Sequence, residues 1–240
     1  MESLHTMIGS KVYSLDIVDS TNEFAKALIG NTPEGTVVRA RQQAHGRGRF
    51  GKTWFSPEQG LWMSVVLRPS NPALITIAAG VAVCEALDAC GVSPSIKWPN
   101  DILLNNKKVG GILTEIVDHH VILGIGLNLN IQSFPDELTD IASSVYLETG
   151  QRIDRERVYS RVCSQLERCY AMLTDNHVEE LLFLWRSHAI FLGHDVIIEQ
   201  GDKKMTGTAR DISETGALVV TLSDGRQEQV IGGTCTLLTR

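Results

Sequence analysis

Gly46-Arg47-Gly48-Arg49-Phe50-Gly51-Lys52-Thr53 fits the phosphate-binding pattern GxxxxGK[ST] letter by letter, and how it is read decides the fold. That pattern works when the lysine and the hydroxyl residue open a helix whose N-terminal amides complete a phosphate cradle. Here Thr53 runs into Trp54-Phe55-Ser56-Pro57-Glu58-Gln59-Gly60, where Pro57 and Gly60 leave no room for a long helix. Leu61 to Leu67 then resumes as a strand. The stretch reads as a basic glycine loop between strands. Arg39, Arg41, Arg47, Arg49 and Lys52 crowd into this region, and no acid occurs between Thr36 and Pro57. Gly46, Gly48 and Gly51 let the backbone turn, and the arginines between them can make forked contacts to phosphate or carboxylate. An anionic ligand and a solvated basic surface loop both remain open at this point.

Upstream, Ser20-Thr21-Asn22-Glu23 has the spacing of a capping box, with Phe24, Ala27 and Leu28 following on one helix face. Thr36 to Ala40 reads as a strand. Downstream, the Ala-rich and nearly uncharged Pro72 to Ala89 predicts a buried helix. Ile102 to Leu104, Val109 to Val117 and Val121 to Leu127 predict adjacent antiparallel strands with turns at Asn105-Asn106 and at Asp118 to His120. Gly124-Ile125-Gly126-Leu127-Asn128 lacks the third glycine and the following helix of a dinucleotide fingerprint. Glu156 to Leu173 and Val178 to Ala189 predict helices. After Gly193 come five short stretches of strand character with glycine turns between them, which predicts a small barrel. The boundary falls near Ala189 to Gly193, giving units of 1–190 and 191–240.

A second constellation is Lys97-Trp98-Pro99-Asn100-Asp101, followed by Lys107-Lys108-Val109-Gly110-Gly111. A structural turn explains Pro99 and Asn100, whereas a ligand or Mg²⁺ role explains Asp101. Strand alternation lets only one of the two lysines face a cleft, and paired glycines in a strand signal close approach to the backbone. Two basic sites and one acidic site suit an activation chemistry in which a substrate carboxylate attacks the α-phosphorus of ATP. No side-chain nucleophile is then required, and the sequence has no GxSxG.

Composition narrows the classes. The chain has 240 residues, 43% hydrophobic and 21% charged, with a net charge of −6, which describes a globular protein without an overall basic surface for DNA. Five cysteines without CxxC suggest neither a disulfide framework nor a zinc ribbon, and the cytoplasm is the expected location. No stretch is long and apolar enough for a membrane span. His119 and His120 read as a wet turn.

In this order, Gly46 to Gly51 with Trp54, Lys97 to Asp101, and Lys108-Val109-Gly110-Gly111-Ile112-Leu113 strongly resemble the biotin protein ligases. The resemblance runs from Asp19 to the C-terminal strands. It implies an α+β fold: a mixed sheet with helices, like class II aminoacyl-tRNA synthetases, plus a small SH3-like β-barrel. It also implies formation of biotinyl-5'-AMP from biotin and Mg-ATP, then transfer of biotin to a lysine of the carrier domain of acetyl-CoA carboxylase. By the same resemblance Ser20, Thr21, Asn22 and Gln43 surround biotin, with Gly46, Gly111 and Gly124 close by. Arg47 and Arg49 enclose biotin and the adenylate phosphate, Trp54 and Asn128 lie on the nucleotide side, Lys108 meets carboxylate and phosphate, and Asp101 is linked with Mg²⁺. Lys108, Arg49 and Arg47 are thus the expected catalytic residues. Three positions depart from the pattern: Lys52, His45, and Leu238, where some members carry an arginine for which Arg240 is the nearest substitute. Ser20 lies too near the start for a preceding winged helix, so no specific DNA is expected. Monomer and homodimer both fit.

Overall fold

The computed structural model describes residues 7–238. Seven strands form the larger sheet: β1 (Val12–Val18), β2 (Val37–Gln43), β3 (Leu61–Leu67), β4 (Ser95–Lys97), β5 (Asp101–Leu104), β6 (Lys107–Val117) and β7 (His120–Leu127). Their order is β1-β2-β3-β7-β6-β5-β4, with β1 parallel to β2 and every other pair antiparallel. The expected mixed sheet is therefore present. β1 was not predicted by apolar alternation, because it lies at the sheet edge and much of it faces water, which erases the pattern of a half-buried strand. The tight turns fall at Asn105-Asn106 and Asp118-His119, all four residues at positive φ, as two-residue hairpins require. His120 opens β7 rather than belonging to the turn.

One face of this sheet carries the core. Helix α2 (Ile75–Asp88) is buried almost all round, because it sits between the sheet and two further helices, α4 (Arg155–Thr174) and α5 (Val178–His188). Asp154 caps α4 by accepting from the amides of Glu156 and Arg157, and Val158, Val162, Leu166 and Cys169 form its buried stripe. A short helix, α3 (Val145–Thr149), is capped by the Ser144 hydroxyl and ends on Gly150 at φ 72°.

The opposite face is covered only in part, by helix α1 (Thr21–Ala27). Ala25 packs there with Val38, Val66 and Ile122. The expected capping box does not form: Ser20 is extended at the N-cap, and its side chain makes no capping bond. Glu23 bonds Lys26 and Arg47 instead.

The smaller sheet comprises β8 (Asp195–Gln200), β9 (Lys203–Ile212), β10 (Leu218–Leu222), β11 (Gln227–Val230) and β12 (Thr234–Leu237). Its order, β11-β10-β9-β8-β12, leaves β11 and β12 as edges with no pairing between them among the described residues. The sheet is open, which corrects the SH3-like β-barrel expected from five strands in a short span. Strand count does not specify closure; edge-to-edge register does. Gly233, at φ 128° and so placed that a Cβ would come 2.4 Å from the Glu199 carbonyl, turns the chain away from β11 and lays β12 on β8. Arg240 lies outside the described residues.

Candidate active site

Where α1 stops covering the larger sheet, a cavity of about 300 Å³ remains, within the size range of small-molecule sites. Its floor is low because glycines replace side chains at facing positions. Gly111 on β6 pairs with Gly126 on β7, and Gly124 lies two residues before Gly126 on the same face. A Cβ at Gly126 would come 2.7 Å from the Trp54 indole nitrogen, and one at Gly111 would come 3.0 Å from the ring. Trp54 therefore lies flat against strand backbone. No helix follows Thr53; the loop closes on itself through a bridge between Arg47 and Thr53 and the Trp54 amide donating to the Gly46 carbonyl at 2.8 Å.

The loop brings its arginines to the cavity by different routes. Arg47 lies 2.9 Å from the Glu23 carboxylate of α1. Arg49 donates to Asn100 Oδ1 at 3.0 Å and to the Gly233 carbonyl at 3.2 Å. Burial lowers the Arg49 pKa and the neighbouring Asp101 charge opposes that shift. Lys108 points inward while Lys107 points out to the Asp140 carbonyl, the division of labour that alternation requires. The Lys108 ammonium lies 2.5 Å from Asp101 and 5.2 Å from the centre of a Trp54 ring.

At the other end, a buried polar chain starts in α1. Gln43 Oε1 accepts from the Thr21 amide at 2.8 Å and its hydroxyl at 3.0 Å, and Gln43 Nε2 donates to Ser56. The Ser64 hydroxyl lies within hydrogen-bond reach of both Thr21 Oγ1 and Asn22 Oδ1. Asn22 Nδ2 donates to Glu115 at 2.8 Å, and Lys26 bonds the other Glu115 oxygen. Burial raises the Glu115 pKa, but Lys26 and Asn22 outweigh it, leaving the carboxyl below its ordinary range. Depressed folded-state pKa values stabilise a fold above the unfolded value, about 4.3 for glutamate, and that contribution disappears as pH falls through the folded value. Between about pH 6 and 3, a range spanning that value, urea midpoints of wild type should therefore fall more steeply than those of Glu115→Gln; parallel curves would contradict this assignment.

Ser20, Thr21, Asn22, Gln43, Arg47, Arg49, Trp54, Asp101, Lys108, Gly111, Gly124 and Asn128 all line the cavity. Gly46 does not; it is buried at the base of the loop, where a Cβ would meet the Trp54 carbonyl at 2.4 Å. Asn100, Ser64 and Glu115 were not expected as site residues from the sequence, nor was Phe134. Phe134 packs on Phe55 at 5.9 Å, and nothing in the sequence pattern links that distant segment to the loop. Trp54 and Asn128, which line the cavity, each carry a buried polar atom without a hydrogen-bond partner among the described residues, Trp54 Nε1 and Asn128 Oδ1. Unsatisfied buried groups are costly.

Asp101 is the one carboxylate among the described residues that lines the cavity, and no cluster of three or more His, Cys, Asp or Glu that could hold a metal occurs among them. Such a donor set fits Mg²⁺ brought in by phosphates, since that ion commonly takes one or two carboxylates and otherwise water and phosphate oxygen. No described helix is long and apolar enough to cross a membrane.

Comparison with known proteins gives consistent matches. Residues 14–128 match the Biotin/lipoate A/B protein ligase family, and residues 191–238 match the Biotin protein ligase C terminal domain. A "Bifunctional ligase/repressor BirA" of Bacillus spizizenii is 38% identical over 233 residues, 91% of this chain and 72% of that protein. A "Biotin--[acetyl-CoA-carboxylase] ligase" of Paracoccus denitrificans is 34% identical, covering 87% of this chain and 93% of its own length. Among solved structures, the biotin protein ligase of Aquifex aeolicus in complex with biotin and ATP superposes with a TM-score of 0.87 at 32% identity, covering 96% of this chain and 100% of the other.

Proposed function

Since the chain belongs to the biotin protein ligase family, we propose that its glycine-floored cavity joins biotin to AMP and then passes biotin to a lysine of a carrier domain. The reaction is that of a biotin-[acetyl-CoA-carboxylase] ligase. The observation that carries the reading is the convergence of Lys108 and Arg49 on a cavity whose floor is formed by Gly111, Gly124 and Gly126.

In the first step the biotin carboxylate attacks the α-phosphorus of ATP, a new C–O–P linkage forms, and pyrophosphate leaves with the electron pair of the broken bond. Two anions must approach each other. Lys108 exchanges its Asp101 partner for the charge shared between carboxylate and α-phosphate, so its contribution grows as the bond forms. Arg49 and Arg47 hold the phosphate side and shield the adenylate from water. Gln43, Thr21 and Ser20 supply polar contacts for the ureido group, with Asn22, Gly111 and Gly124 shaping the space and Gly46 setting the loop that closes it. Asn128 and Trp54 face the nucleotide. Asp101 would hold Mg²⁺, which when bound offsets phosphate charge. In the second step the carrier lysine amine attacks the acyl carbon, and AMP departs.

The acceptor is a biotin carboxyl carrier domain, and the cytoplasm suits the five free cysteines. Biotin-dependent exchange of pyrophosphate into ATP tests the first step. We expect exchange with biotin and none with lipoate; exchange driven by lipoate alone would overturn the reading.

A further inference from the structure

Arg49 is hydrogen-bonded but, among the described residues, makes no ion pair. Its Nη1 donates to two neutral acceptors, Asn100 Oδ1 and the Gly233 carbonyl, although Asp101 follows Asn100 directly in the chain and is bonded to Lys108 instead. The Asn100 amide has only one orientation. Its Nδ2 donates to the Ile112 carbonyl at 2.8 Å, and the Ile112 amide donates back to the Asn100 carbonyl at 3.0 Å. A carbonyl can only accept, so the amino group must face Ile112 and the oxygen must face Arg49. Aspartate at this position would present two acceptors and would repel the Ile112 carbonyl.

A neutral acceptor orients a guanidinium without cancelling its charge, so the full positive charge remains available to an anion. The Gly233 carbonyl belongs to the turn between β11 and β12, which brings the smaller sheet to the same group. We propose that Asn100 is a positioning residue that, together with the Gly233 carbonyl, aims Arg49 at the adenylate phosphate. This inference rests on the ligase function proposed for the cavity.

The test is a double-mutant cycle on release of biotinyl-adenylate, measured by wash-out after a single turnover. Asn100→Ala is expected to accelerate release about tenfold in the wild-type background and less than about twofold in the Arg49→Ala background. A residue that merely shaped the turn would act equally in both. Equal factors in the two backgrounds, or no change with Arg49 present, would overturn the proposal. Thermal melting of each variant reports folding separately, and the cycle is taken among folded proteins. If Asn100→Ala does not fold, Asn100→Asp is carried through the same cycle with the same two criteria, a change in release that requires Arg49 or one that does not. Failure of the wild-type protein to form any adenylate would instead sink the ligase reading, and this inference with it.

Discussion

Lys108→Ala is expected to slow biotin-dependent pyrophosphate exchange at least about 100-fold, on the order of 3 kcal/mol, the scale of losing one pre-organised electrostatic group. The ammonium is already in place before any ligand arrives, held against Asp101 and beside Trp54 in a half-buried setting where charge is poorly screened. Its value rises along the reaction, because negative charge accumulates between carboxylate and α-phosphate only as they join. Biotin affinity, measured by equilibrium titration, should therefore fall much less than the rate. Exchange persisting within about threefold of wild type, a deficit under about 1 kcal/mol, would remove Lys108 from this role.

A large stability effect is expected from Gly124→Ala. A Cβ there would lie 2.4 Å from Asn22 Oδ1 and 3.0 Å from its Cγ, and Asn22 is a short, buried side chain held in place by its bonds to Ser64 and Glu115. Moving it breaks its bonds with Ser64 and Glu115, leaving a carboxylate with one partner fewer. One buried hydrogen bond and one partly buried bond to a charge correspond to a loss of about 2 to 4 kcal/mol. Urea denaturation should show it, and Asn22→Ala added to Gly124→Ala should cost much less than the two single losses together, because the clash is relieved. A loss below about 0.5 kcal/mol for Gly124→Ala, within the usual scatter of neutral substitutions, would show that the network is not rigid.

Those effects arise in parts of the molecule that the sequence revealed unequally. The loop from Gly46 to Gly51 was legible as a loop because Pro57 with Gly60 ruled out the helix of a phosphate-loop fold. The turn at Asn105-Asn106 and the two lysines after it followed from strand alternation. Ser20 to Glu23 misled in one respect: the spacing of a capping box is local, whereas Glu23 is claimed by Lys26 and by Arg47 from a distant loop. Asn100 looked like a turn former because its second role depends on Ile112 and Arg49, which only the folded sheet brings near. Glu115 carried no signal for the same reason. Closure of the smaller sheet was misjudged because alternation reports that strands exist, while the pairing of β12 with β8 depends on one glycine turn.

Incorporation of labelled biotin into a purified biotin carboxyl carrier domain, run beside labelled lipoate with a lipoyl carrier domain, bears on the proposed ligase activity without intermediates. Biotin is expected on the carrier lysine only when ATP and Mg²⁺ are present, with no lipoate on either domain. Transfer of lipoate in preference to biotin, or no ATP-dependent labelling of the biotin carrier by folded protein, would contradict that activity.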